Sequence, residues 1–199
     1  MKATAKARKR EAPDLPAEWE APAEALLPGI KLESLRLDGC VLQGIDLSGA
    51  ALGSAVWKDV RLVSCNLANV RVHRLELVRV ELIDCRLTGF ITGASDCLDV
   101  LIRGADMSFA QLQGGRFRRC EFETCNLREA DLQNAELNGA LFRSCQLGTA
   151  DLRGARLADA DLRTSDVEGM LVGVNDLRGA IVDAPQAMIL ARVLGLKIL

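Results

Sequence analysis

Residues 125–164 read CNLRE, ADLQN, AELNG, ALFRS, CQLGT, ADLRG, ARLAD and ADLRT, and each of these units is five residues long. Every unit has Ala or Cys at its first position and Leu or Phe at its third. A period of five fits neither an α-helix, with its period of 3.6, nor a flat strand, with its period of two. It is typical of short units that stack on one another, so the sequence predicts a solenoid.

The same spacing continues through most of the chain. From Leu32 to Val182, every fifth residue is apolar except Thr92, over 31 positions. Of the 31 positions that lie two residues earlier, 20 are Ala, Cys, Ser or Gly. We therefore expect each unit to point one large and one small residue inward, and its three other residues outward.

This A(D/N)LxX pattern resembles that of the pentapeptide repeat family. The resemblance implies an all-β fold, a right-handed quadrilateral β-helix with one pentad per side, 20 residues per coil and just under eight coils. The predicted division of the chain is a basic N-terminal tail and cap segment (1–29), the pentapeptide-repeat β-solenoid (30–184), and a C-terminal capping α-helix with a short tail (185–199).

Charged residues spaced 20 apart support the predicted coil length. One column alternates in sign through Asp96, Arg116, Glu136, Arg156 and Asp176, and a second through Asp59, Arg79, Asp99 and Arg119. Opposite charges stacked about 4.8 Å apart favour the register of the coils. We expect these contacts to be exposed, so each contributes a few tenths of a kcal/mol. In the irregular segment 90–99, FITGASDCLD, we expect a distorted side, a bulge or a protruding corner.

The residue types argue against catalysis and against bound metal or cofactor. Six of the seven cysteines stand at the small inward position, where Cys is interchangeable with Ala. The single histidine, His73, has Arg71 and Arg74 as neighbours rather than a nucleophile. The sequence has no stretch of 18 apolar residues, so it does not predict a membrane span. A cytoplasmic location is the expectation.

Two outward surfaces are candidates for binding a protein partner. The most acidic side of the solenoid has a net charge of −3 and carries Asp46, Asp106, Glu129, Asp166 and Glu168. An apolar group on outward positions consists of Val63, Val78, Ile83, Leu98 and Leu101.

The family resemblance implies a function for the acidic side. Some members imitate duplex DNA, bind DNA gyrase or topoisomerase IV, and protect them from quinolones. The alternative is a scaffold or regulator whose partner is unrelated to DNA.

The two ends of the chain differ from the repeat. Asp183 and Gln186 have the spacing of a capping box, and Gly195 stands where a helix would end, so residues 184–194 are predicted to be helical. This helix is apolar on both faces, which predicts a homodimer through Met188, Ile189, Arg192 and Val193. Residues 1–12 have a net charge of +4 but contain no aromatic residues, so no direct binding of nucleic acid is expected.

Overall fold

The computed structural model describes residues 9–15 and 27–197. Nine strands form one parallel sheet, and a single helix follows them. The elements are β1 (Lys31–Gln43), β2 (Ala51–Val63), β3 (Arg71–Ile83), β4 (Ile91–Thr92), β5 (Ser95–Leu98), β6 (Leu101–Arg103), β7 (Arg116–Arg118), β8 (Glu121–Glu123), β9 (Leu141–Arg143) and α1 (Ala184–Val193).

The chain winds into a four-sided parallel β-solenoid, as the repeat predicted. Going round one coil, face A is centred on residue 32, face B on 37, face C on 42 and face D on 47, and each face recurs every 20 residues. The bridges of face A join Lys31, Ala51, Arg71, Ile91, Gln111, Asp131, Asp151 and Leu171 in one unbroken ladder. Residues 20 apart therefore lie directly above one another, which confirms the predicted register.

Both inward positions of the pentad form the core. Leu132 and Leu152 are fully buried, as are the alanines between them. Phe122 stacks on Phe142 of the next coil with ring centroids 4.8 Å apart, and Phe117 meets Phe122 edge-on. Because every coil adds the same thin layer, the core is continuous along the solenoid axis.

The cysteines are free and buried. Where they occupy the small position, most donate the thiol to a carbonyl of the coil below; Cys145 Sγ, for example, lies 3.3 Å from the Phe122 carbonyl oxygen. Ser165 makes the same contact to Phe142 at 3.1 Å. Burial raises the pKa of the Cys120 thiol to about 12, so this sulfur stays protonated. These residues satisfy backbone carbonyls as well as filling space.

Segment 90–99 does not protrude, contrary to the expectation from its sequence. Strands β4 and β5 pair with β3 in the same 20-residue register as the regular coils. Phe90, Thr92 and Cys97 all point inward and are buried. The irregularity is taken up inside, where an apolar cavity of ≈ 30 Å³ lies between Trp57, Phe90 and Cys97.

The C-terminal helix closes the open end of the solenoid. Asp183 accepts the Gln186 backbone N–H at 2.9 Å, and the Gln186 side chain accepts the Asp183 N–H, which completes the capping box. The amide nitrogen of Gln186 also donates to the carbonyls of Leu162 and Ser165. This buried glutamine therefore fixes the helix to the last regular coil.

One side of the final coil leaves the parallel ladder before the helix begins. The predicted stacking of Asp176 on Arg156 is therefore wrong. Asp176 forms no bridge or ion pair with Arg156 among the described residues; its carboxylate accepts the Gly173 N–H at 2.8 Å. The reason lies at Asn175, which takes the small inward position of this pentad and stays exposed. A polar amide does not enter the core, so this side of the coil leaves the ladder.

Candidate partner-binding surfaces

Face D brings three of the predicted acidic residues into one column. Its bridges run Asp46, Asn66, Arg86, Asp106, Asn126, Gln146 and Asp166. Asp46, Asp106 and Asp166 are therefore three coils apart, or about 14 Å at 4.8 Å per coil. Glu168 follows Asp166 on the same face, and Glu129 lies at the corner between faces D and A. All five belong to one side of the rod, as the sequence analysis expected.

Hydrogen bonds favour the ionised form of two of these carboxylates, Asp46 and Asp106. Asp46 accepts from Ser48, whose side chain and backbone N–H lower the pKa of this carboxyl. Burial opposes ionisation of Asp106, but hydrogen bonds from Thr88 and Ser108 outweigh it and keep its pKa below the usual value. Asp166 is paired with Arg128 across 3.4 Å. Arg86 interrupts the column itself, and Arg128 lies beside it on the same face.

Phe109 is a surface feature that the sequence analysis missed. Its side chain is 52% exposed, at the corner between faces D and A, three residues after Asp106. Its φ is +58°, a left-handed conformation that is costly for a bulky residue. Most other residues with this conformation here are Gly, Asp, Asn, Ser or Thr. An aromatic residue at a corner position of the pentad was the signal that could have revealed it.

The predicted apolar group does not form one patch. Val78 and Leu98 pair on face B, and Val63 and Ile83 pair on the far side of face C. These four side chains are half-buried. Leu101, predicted to be exposed, is only 4% exposed although it lies outside the central core cluster. The N-terminal residues lie close to it, because they contact Asp99 and Glu81.

Residues 9–15, here called the N-terminal strap, run along the corner between faces B and C. The Glu11 N–H donates to Asp99 Oδ1 at 3.0 Å, and the Asp14 N–H donates to Asp59 Oδ1 at 3.1 Å. Arg10 reaches Glu81 at 3.2 Å, where Arg61 also binds. A segment that the sequence described only as a basic tail is thus bound to the wall of the solenoid.

The column beneath the strap, here called the corner ladder, consists of Asp59, Arg79, Asp99 and Arg119. Arg79 binds both oxygens of Asp59, and Arg119 binds both oxygens of Asp99, at distances of 2.5–2.6 Å. Asp59 is 6% exposed and Asp99 only 1%. The expectation that these ion pairs are exposed is therefore wrong, because the strap covers their acidic members.

The C-terminal end presents the largest set of exposed apolar side chains among the described residues. Three of the four predicted dimer residues, Met188, Arg192 and Val193, are exposed on the helix. The fourth, Ile189, is partly buried against the core and faces the last coil instead. The sequence did not predict that the opened coil and the tail add to the surface, with Leu171, Val174, Ile181 and Leu196.

Two further features of the described residues concern metal binding and membrane insertion. No group of three or more His, Cys, Asp or Glu side chains is arranged to hold a metal ion in that part of the chain. Over the same residues, no helix has the length and apolar character needed to span a membrane.

Comparison with known proteins identifies the class of this solenoid. The family model for pentapeptide repeats matches residues 105–143 and 137–169, with eight copies of the repeat. Residues 105–169 are thus similar to pentapeptide repeats, and the four-sided parallel fold continues in the same 20-residue register on both sides of them. A comparison with curated protein sequences finds no match.

Among solved structures, the chain is similar to two trypsin-treated variants of QnrB1, a plasmid-mediated fluoroquinolone resistance protein. The first aligns with a TM-score of 0.63 and 20% identity, covering 85% of this chain and 99% of that one. The second aligns with a TM-score of 0.59 and 22% identity, covering 86% of this chain and 91% of that one. At this level of identity the likeness establishes a shared fold.

Proposed function

We propose that this chain is a non-enzymatic, cytoplasmic protein-binding solenoid that docks on a type II topoisomerase in place of DNA and protects it from quinolone-type poisons. The observation that carries the proposal is the carboxylate column of face D on a straight solenoid wall. The fold shared with a fluoroquinolone resistance protein supports it.

The spacing of the column suits a surface that binds duplex DNA. Asp46, Asp106 and Asp166 recur at about 14 Å, close to four base-pair steps of about 3.4 Å each. Because hydrogen bonds fix these carboxylates, the negative charges hold their positions without an entropic cost on binding. A basic groove that binds DNA would therefore meet fixed negative charges at a spacing close to that of phosphates four base-pair steps apart along the axis of duplex DNA.

Phe109 gives the same surface an apolar anchor. Binding hot spots are typically aromatic side chains surrounded by polar contacts. Phe109 stands beside the column, near Asp106 and Glu129, and about half of its surface is exposed to solvent. We expect Phe109→Ala to weaken partner binding at least tenfold while the chain stays folded.

The test is a gyrase supercoiling assay with and without a fluoroquinolone. The wild-type chain at micromolar concentration is expected to restore supercoiling in the presence of the drug. The triple variant Asp46→Lys, Asp106→Lys, Asp166→Lys is expected to lose this protection, because it replaces the anionic column with a cationic one. The matched control is Glu33→Lys, Glu76→Lys, Asp159→Lys, which changes the net charge equally on exposed residues away from face D.

Each outcome decides between the candidate functions. Protection that survives in the control and disappears in the face D variant supports mimicry. Equal protection by both variants would remove face D as the contact. A wild-type chain that neither inhibits nor protects gyrase or topoisomerase IV would leave the second candidate, a scaffold or regulator with a partner unrelated to DNA. Thermal melting of each variant shows whether it is folded.

We also propose a homodimer through the C-terminal end. The apolar surface that α1 presents to solvent, together with Leu171, Val174 and Ile181, is continuous with the closed end of the solenoid. Sedimentation at micromolar concentration is expected to give twice the mass of the chain. Met188→Asp with Val193→Asp should give the single mass, whereas Gln43→Asp at the opposite end should not. A wild-type chain that sediments only as a monomer contradicts the proposal.

A further inference from the structure

The N-terminal strap contacts the corner ladder through the strap's backbone N–H groups. The spacing of these N–H groups matches the spacing of the aspartates in the ladder. Asp14 follows Glu11 by three positions, and an extended chain rises about 3.3 Å per residue, or about 10 Å over three steps. Their acceptors, Asp99 and Asp59, lie two coils apart, or about 9.6 Å. The two N–H groups therefore reach successive acidic members of the ladder.

The spacing of the aspartates in the ladder matches the spacing of backbone N–H groups in an extended peptide. Each Asp carboxylate is held by the arginine one coil above it, and its Oδ1 also accepts a backbone N–H of the strap. The arginines are partly exposed, whereas the carboxylates are buried beneath the strap. Fixed acceptors spaced for backbone N–H groups are the main element of a site that binds a peptide in extended form.

Side chains add specificity to this backbone recognition. Arg10 places its guanidinium against the buried carboxylate of Glu81. Beyond Lys9, a cleft of ≈ 320 Å³ continues the track between Arg119, Glu121 and Leu141. The solenoid wall thus contacts one arginine side chain and two backbone N–H groups that are three positions apart.

The strap is lightly held. Its polar contacts to the solenoid, among the described residues, are the ion pair of Arg10 and the two backbone hydrogen bonds of Glu11 and Asp14. Segments with so few contacts open and close without global unfolding. The site beneath the strap is thus accessible to a second peptide of the same kind.

We propose that the corner ladder is a docking site for an extended peptide and that residues 9–15 are its built-in, exchangeable occupant. The occupant that fits is the sequence KREAPDL, supplied by the chain itself or by a second copy of it. This inference is independent of the topoisomerase proposal, since it concerns another side of the solenoid.

The test uses the full-length chain and a fluorescein-labelled peptide of residues 9–15, followed by fluorescence anisotropy. Glu11→Pro in the chain removes the N–H that Asp99 accepts, and so favours the open state. Two variants serve as controls. Ala12→Pro removes an N–H for which the structure shows no acceptor among the described residues, and Glu11→Gln removes the charge of Glu11 while keeping its N–H.

The Glu11→Pro chain is expected to bind the peptide at least tenfold more tightly than the wild type, and the two control chains to bind it as the wild type does. A peptide that carries the Glu11→Pro change should bind at least tenfold more weakly than the unmodified peptide. Equal affinity of the wild-type and Glu11→Pro chains for the peptide, or no detectable binding to either, overturns the proposal.

A second measurement on the wild-type chain does not depend on any variant. Amide hydrogen exchange followed by NMR should show the Glu11 and Asp14 N–H groups exchanging at least tenfold more slowly than the Ala12 N–H. Equal exchange at the three positions would mean that the strap does not dock on the ladder, and would also overturn the proposal.

Discussion

Replacement of Phe122 by alanine is expected to lower the free energy of unfolding by about 3–5 kcal/mol. Phe122 is fully buried, stacks on Phe142 and meets Phe117 edge-on, so its removal leaves a cavity inside the narrow core. A neighbouring coil cannot move in to fill it, because its backbone hydrogen bonds fix it about 4.8 Å away. Urea denaturation followed by circular dichroism measures the loss.

Phe109→Ala is the matched control for this prediction, since the same side chain is removed from a solvent-exposed corner. Its expected effect lies within about 0.5 kcal/mol of the wild type, as for most surface substitutions. Similar losses for the two variants would contradict the assignment of Phe122 to the core and of Phe109 to the surface.

The second large effect is expected at Asp99, and Asp96, three positions earlier in the chain, provides the matched control. Asp99→Ala should cost about 3 kcal/mol, because it breaks an ion pair whose acidic member is buried and removes the acceptor of the strap. Asp96→Ala should cost about 0.5 kcal/mol or less, since Asp96 and its partners Arg116 and Arg118 are well exposed. Chemical denaturation of both variants provides the comparison, and equal costs would show that the strap does not shield Asp99.

The same carboxylates predict how stability depends on pH. Hydrogen bonds from Arg79 are the main cause of a lowered pKa at Asp59. At Asp99, burial opposes ionisation, but Arg119 and the Glu11 N–H lower the pKa more. Since both pKa values are depressed in the folded state, the stabilisation is complete above about 3.9, the unfolded value for Asp. It is lost as the pH falls below that value through the folded pKa values. In Asp99→Ala this acid-side loss should be smaller.

The repeat predicted the fold because it acts on every coil in the same way. Leu132 and Leu152 point inward, and Asp96, Arg116 and Glu136 lie above one another, as the spacing required. The acidic side could be assigned for the same reason, since the position of Asp46, Asp106 and Asp166 within the pentad determines their face. Segment 90–99 was misjudged because its unusual residues, among them Phe90 and Cys97, change the interior rather than the register.

The sequence by itself determined the coil, its register and the residues of each face, because a five-residue period leaves only one way to bury Leu and Ala together. The tertiary structure alone decided which surfaces are open. The strap joins residues separated by 45 to 88 positions, and its backbone N–H groups carry no signature in the sequence. That contact covers Asp59 and Asp99, whereas face D and the C-terminal end stay open and are the surfaces proposed for partners.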